Sequence, residues 1–178
     1  MLRSLLMATT FATVLPTLAS AEADAFTLSS PDIAEGRQLD AAHVFQGFGC
    51  EGGNAAPTLI WSNPPEGVES FAVTVYDPDA PTGSGWWHWF AFNIPADATE
   101  LPAGAALPEG AVELTNDYGT VGFGGACPPP GEVHRYEFTV HALGTTLEID
   151  GSVSNALAGF MVNANSLGSA SITAVYNR

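Results

Sequence analysis

Three segments of the chain carry large apolar side chains at strand spacing. Phe71-Ala72-Val73-Thr74-Val75-Tyr76 is β-branched and aromatic and stops at Asp77-Pro78. Trp86 to Ile94 is an apolar, aromatic run closed by Pro95. Tyr136 to Leu143 alternates large apolar with polar residues, so one of its faces is buried. Ser171 to Tyr176 predicts a last short strand, and Phe26 to Leu28 and Pro57 to Ser62 are weaker candidates.

Helical periodicity occurs once. In Asn155 to Asn165, Leu157, Phe160, Met161 and Ala164 recur at three and four residues, and Ser154 is placed to cap the start. Turn signals separate the strands: Asn63-Pro64-Pro65, Pro81-Thr82-Gly83-Ser84-Gly85, Leu107-Pro108-Glu109-Gly110 and Pro128-Pro129-Pro130-Gly131. Short strands joined by structured loops, with 19 Gly and 13 Pro, predict an antiparallel β-sandwich with one or two short peripheral helices. No internal repeat or low-complexity linker divides the chain.

The N-terminus changes the compartment. Arg3, an apolar stretch from Leu5 to Leu18 and the small residues Ala19-Ser20-Ala21 form the pattern of a secretory signal peptide, too short for a membrane span. Residues 1–21 are therefore expected to be removed and residues 22–178 to form one periplasmic or secreted domain. Charge narrows the partners. The formal net charge is −15, there is no lysine, and the cations are Arg3, Arg37, Arg135 and Arg178. Such a chain repels nucleic-acid backbones and anionic lipid surfaces, so neither is an expected partner, and no integral membrane association is expected. The two cysteines, Cys50 and Cys127, are an even count in an exported chain, which favours one disulfide over two free thiols.

Two segments carry candidate chemistry. In the first, Tyr76-Asp77-Pro78-Asp79-Ala80-Pro81 leads into Trp86-Trp87-His88-Trp89. The prolines restrict the backbone on both sides of the turn, which fixes the Asp77 carboxylate near a strand end. Asp79 is assigned to satisfying loop amides. In the second, Asn116-Asp117-Tyr118-Gly119 and Gly122-Phe123-Gly124-Gly125-Ala126-Cys127-Pro128-Pro129 precede His134-Arg135-Tyr136. Glycines allow backbone amides to approach a ligand, as in an anion nest. His134 and Tyr136, two apart, share a face, with Arg135 opposite and suited to a structural salt bridge. His88, His134 and the Tyr136 hydroxyl are donors for a compact anion, and Asp77 orients a histidine and favours its protonated form. His43 and His141 show no partner pattern and read as structural.

Asp77-Pro78-Asp79-Ala80-Pro81, Trp86/His88 with Asn93-Ile94-Pro95, and Gly125-Ala126-Cys127-Pro128-Pro129 followed by His134-Arg135-Tyr136 resemble the two signature regions of the phosphatidylethanolamine-binding, or Raf kinase inhibitor-like, proteins. The Gly83-Ser84-Gly85-Trp86-Trp87-His88-Trp89 segment and Asn54-x-x-Pro57-x-Leu59-x-Trp61 are similar to the bacterial exported branch. The resemblance implies a β-sandwich with a small-anion pocket walled by Asp77, Pro81, Trp86, His88, Cys127, His134 and Tyr136. Phosphate, phosphorylethanolamine or acetate are the ligands it implies, with kinase or protease inhibition as an associated role and no cofactor. It extends to a homodimeric state, which the composition does not show. Cys127 stands where animal members usually have glycine, so a disulfide to Cys50 is expected to narrow or stiffen the pocket. The chain also ends just after its last strand, without the long C-terminal helix of the animal proteins, which implies a more open pocket.

An exported binding protein is thus expected rather than an enzyme. The alternative is a hydrolase or metal-dependent enzyme built on Asp77, His88 and His134. Against it, the chain has no Gly-x-Ser-x-Gly elbow, no His-Glu-x-x-His and no P-loop.

Overall fold

Among the described residues, the strand signals become ten strands and the helical signal becomes one α-helix. A computed structural model describes residues 25–178; the expected signal peptide lies outside the described residues. In chain order come β1 (Thr27–Ser29), β2 (Gln46–Gly47), β3 (Cys50–Glu51), β4 (Leu59–Ser62), β5 (Ser70–Asp77), β6 (Trp86–Pro95), β7 (Glu100–Leu101), β8 (Val112–Glu113) and β9 (Val133–Leu143). The helix α1 (Asn155–Asn165) and β10 (Ser166–Asn177) follow. A 3-10 turn at Ala41–His43 is the second, very short helical piece.

The main sheet runs β10-β9-β5-β6-β8 and is antiparallel throughout. A three-stranded sheet, β1-β4-β7, lies against it, and β2-β3 forms a small hairpin. Between the two larger sheets lies an apolar layer. Phe71, Val73 and Val75 of β5 and Phe138 and Val140 of β9 meet Leu59 and Trp61 of β4 there. The two-residue period of a strand puts these side chains on one face. The same parity carries Asp77 on β5, and His134 and Tyr136 on β9, to that face. Because β5 and β9 are antiparallel, with Tyr76 opposite Glu137, the three polar residues meet at one end of the sandwich.

The opposite face of the sheet is covered by α1. Ser154 accepts the Leu157 N–H at 3.2 Å and caps it as expected. The buried face differs from the expected one. Ala158 and Val162 are buried, whereas Phe160 is 67% and Leu157 46% exposed. The sheet itself supplies the bulk here, through Phe90, Phe92 and Leu143, so the helix contributes small residues. Gly159 lies over Trp87, where an added Cβ would stand 3.9 Å from the ring.

The loop that precedes β9 is pinned to the hairpin region. Ala126 N–H donates to the His43 carbonyl at 3.0 Å, Phe45 N–H donates to the Ala126 carbonyl at 3.0 Å, and Gly125 N–H donates to Asn54 Oδ1 at 2.7 Å. Such close backbone approach leaves no room for a side chain. A Cβ on Gly125 would lie 2.5–2.6 Å from backbone atoms of His43, Val44 and Phe45. Gly125→Ala should therefore lower unfolding free energy by about 2–3 kcal/mol in urea titration. An unchanged midpoint would show that this loop is not packed as described.

Candidate functional site

The polar end of the sandwich opens into a cavity of about 230 Å³. Asp77, Pro81, Trp86, His88, Cys127, His134 and Tyr136 all line it. Phe48 and Tyr118 line it as well, and sequence reasoning gave neither a role. The Asn116-Asp117-Tyr118-Gly119 segment had been singled out, and its internal logic is visible. Asn116 Oδ1 accepts the Tyr118 N–H at 3.0 Å in an Asx turn, and the Tyr118 hydroxyl donates to the Gly125 carbonyl at 3.0 Å.

Asp77 both caps the turn and faces the cavity. Its Oδ1 accepts the N–H groups of Asp79 (2.8 Å) and Ala80 (3.0 Å), and its Oδ2 lies 2.7 Å from His134 Nδ1. The other ring nitrogen of His134 lies 3.0 Å from Glu132 Oε2. Two carboxylates can only accept, so both nitrogens donate and the ring is an imidazolium. Burial opposes that charge, but the hydrogen bonds that His134 donates to Glu132 and Asp77 outweigh it and hold its pKa above its ordinary value. The donor expected to face outward from the Asp77–His134 pair is therefore taken up by Glu132, a residue the sequence did not single out. Its signal was spacing: two residues before His134 on an extended segment, on the same side.

Asp79 departs from its expected role. It does not serve the turn amides; it accepts the Arg135 backbone N–H and both arms of its guanidinium, at 2.7–2.9 Å. The Arg135 hydrogen bonds hold its pKa down to about 2. Arg135 points away from the cavity, as its register requires, and makes the expected salt bridge.

His88 reaches the cavity because β6 carries a bulge. Val75 pairs with Trp89 and Tyr76 with Trp87, so His88 is an extra residue between them. The bulge breaks the alternation and turns His88 toward the cavity while Trp89 stays in the apolar layer. His88 Nδ1–H donates to the Gly124 carbonyl at 2.7 Å, and Gly124 N–H donates back to the His88 carbonyl at 2.8 Å. Burial pushes the His88 pKa down, so the ring is neutral with a lone pair on Nε2. His88 is thus an acceptor at the cavity, not the donor expected.

The glycine loop does not form the expected nest. The amides of Gly124, Gly125 and Ala126 donate to His88, Asn54 and His43. Donors come instead from side chains. The Tyr136 hydroxyl and Trp86 Nε1 are both fully buried atoms with no hydrogen-bond partner among the described residues. The Cys127 N–H points toward the Tyr136 oxygen as a donor without reaching hydrogen-bond geometry, and the O–H has no acceptor among the described residues. An unmet buried donor costs about 1–3 kcal/mol, so two such donors on residues lining one cavity set this wall apart.

The rim is held by covalent and aromatic contacts. Cys50 and Cys127 form a disulfide, with Cα atoms 6.0 Å apart. It ties the β2-β3 hairpin to the cavity wall. At the tip of that hairpin Phe48 adopts φ 52° and is 69% exposed, an unusual backbone state for a bulky residue. Tyr118 stacks on Phe45 at 3.8 Å between centroids and meets His88 and Trp86 edge-on. His43 and His141 stand elsewhere. His43 donates from Nδ1 to the Ala55 carbonyl, and His141 contacts Thr74, its pKa pushed down to about 4 by burial.

These shifts have opposite consequences for stability. His134, raised above its ordinary 6.5, contributes fully below pH 6.5, and that contribution is lost as pH rises through the folded value. His88 and His141, held below 6.5, contribute above that pH and lose the contribution as pH falls. His134→Gln should therefore cost more stability at pH 6 than at pH 9 in urea titrations. An equal cost at both would contradict a buried imidazolium.

Comparison with known proteins agrees with this architecture. The family model described as phosphatidylethanolamine-binding protein matches residues 29–177. The chain is 57% identical over 165 residues to the UPF0098 protein YbcL of Escherichia coli, covering 88% of this chain and 90% of YbcL. It is 49% identical over 156 residues to the UPF0098 protein YbhB of the same organism, covering 84% of this chain and 99% of YbhB. LppC of Mycobacterium tuberculosis, named as a candidate lipoprotein, is 35% identical over 138 residues, covering 77% of this chain and 65% of LppC. The crystal structure of E. coli YbcL, described as a new member of the mammalian PEBP family, superposes with a TM-score of 0.83 at 56% identity, covering 86% of this chain and 98% of that one. By sequence and by fold, the chain belongs to the phosphatidylethanolamine-binding protein family.

Proposed function

We propose that the cavity binds one small oxyanion that still carries a proton, such as a phosphate monoester in its monoanionic form, and that the protein acts by binding rather than by turnover. The observation that carries this reading is the pair of unpartnered buried donors, Tyr136 O–H and Trp86 Nε1–H, on the wall that also holds the His134 imidazolium. Both donors match anionic oxygens. The lone pair of neutral His88 matches a P–OH. Phosphate or phosphorylethanolamine head groups combine these features, whereas acetate supplies the anionic oxygens without the O–H.

Binding without chemistry is supported by the state of the reactive groups. The Cys127 sulfur is consumed in a disulfide and is no nucleophile. Both nitrogens of His134 donate to carboxylates, so neither offers a lone pair to act as a base. Work outside the cytoplasm is supported by the leader-like N-terminus, the disulfide and the lipoprotein naming of LppC.

The reading is tested by titrating the protein with inorganic phosphate and with phosphorylethanolamine. Amide and imidazole signals of His88, His134 and Tyr136 should move with saturable dependence. Tyr136→Phe should weaken binding by about tenfold, since it removes one donor to a charged acceptor. Shifts confined to other surfaces, or equal affinity in Tyr136→Phe, would refute it.

A further inference from the structure

We infer that Glu132 is a tethered carboxylate that stands in for the ligand at His134 and sets the affinity of the site by competing with it. The inference rests on the oxyanion reading above. Two carboxylates flank the imidazolium, and their situations are opposite. Asp77 is buried and accepts three hydrogen bonds, two of them from its own turn. The Glu132 side chain is 52% exposed, and the one hydrogen bond that this side chain makes among the described residues is from His134 Nε2. Asp77 is therefore fixed, and Glu132 is free to leave.

Its backbone allows that departure without moving the wall. Gly131 N–H donates to the Arg178 carbonyl at 2.8 Å, and Glu132 N–H donates to the Pro129 carbonyl at 3.1 Å. Pro128 and Pro129, at the start of this turn, line the cavity. The turn holds the main chain in place, and rotation about the Glu132 side chain alone would uncover Nε2–H.

Charge balance gives the exchange its direction. The groups around the imidazolium are Asp77, Glu132 and the neutral His88, with Asp79 already paired to Arg135. Glu132 is not itself a lining residue, but while it is hydrogen-bonded to His134 an oxyanion in the cavity would share the one cation with two carboxylates. With Glu132 swung into solvent it meets one carboxylate and one cation, and gains the Nε2–H as a third donor beside Tyr136 and Trp86. The empty site, for its part, never leaves His134 half-paired.

Calorimetric titration with inorganic phosphate at pH 6 and low salt tests this, using wild type, Glu132→Gln and Glu132→Ala. Glu132→Ala should bind phosphate about tenfold more tightly than wild type, since a charged competitor for one hydrogen bond is gone. Glu132→Gln, which keeps an acceptor but loses the charge, should fall between, and added salt should narrow the differences. Superposable amide spectra of the free proteins, expected for an exposed turn residue, would confirm that the fold is unchanged. Phosphate binding to wild type with Glu132→Ala equal or weaker would overturn the competitor role alone. Absence of phosphate binding in all three would overturn the oxyanion reading and this inference together.

Discussion

A carboxylate buried at the end of an apolar sandwich has to be satisfied by its own chain, and Asp77 is. Two amides of the turn it caps and the His134 ring meet its two oxygens. Removing one partner of a buried pair of this kind costs about 3–5 kcal/mol, because the other charge is left uncompensated. The pair joins the end of β5 to the start of β9 and fixes the protonation state of the histidine. The cavity's electrostatics follow from it: one imidazolium, one neutral imidazole, and two side-chain donors without a partner among the described residues.

Much of this was legible in the chain. The strand period that buries Phe71, Val73 and Val75 also places Asp77, and the one that buries Phe138 places His134 and Tyr136. Reading parity to the strand ends therefore predicts a polar patch where the apolar layer stops. The helix and its Ser154 cap follow from local signals that tertiary packing did not override. The two cysteines, far apart in the chain, do pair.

What was not legible depends on events that no local pattern reports. The bulge that turns His88 inward is a register shift between two strands, and only pairing reveals it. The amides of Gly124, Gly125 and Ala126 look free in the sequence, yet they donate to His88, Asn54 and His43, residues that lie far away in the chain and are brought near by the fold. Asp77 already accepts the turn amides, so Asp79 accepts from Arg135 instead. Phe160 and Leu157 obey helical periodicity but face solvent, because the bulky sheet residues are met by Ala158 and Val162, with the expected Met161 partly buried beside them. Glu132 escaped notice because an acidic residue in an acidic chain carries no signal until a buried ring is found beside it.

Protonation of the two cavity histidines is the most direct test of the whole arrangement. Nitrogen-15 spectra of ring-labelled protein at pH 7, without ligand, should show His134 with both nitrogens protonated and His88 with a proton on Nδ1 only. A neutral His134, or a proton on His88 Nε2, would contradict the pairing of Asp77 with His134 and the assignment of donors and acceptors built on it.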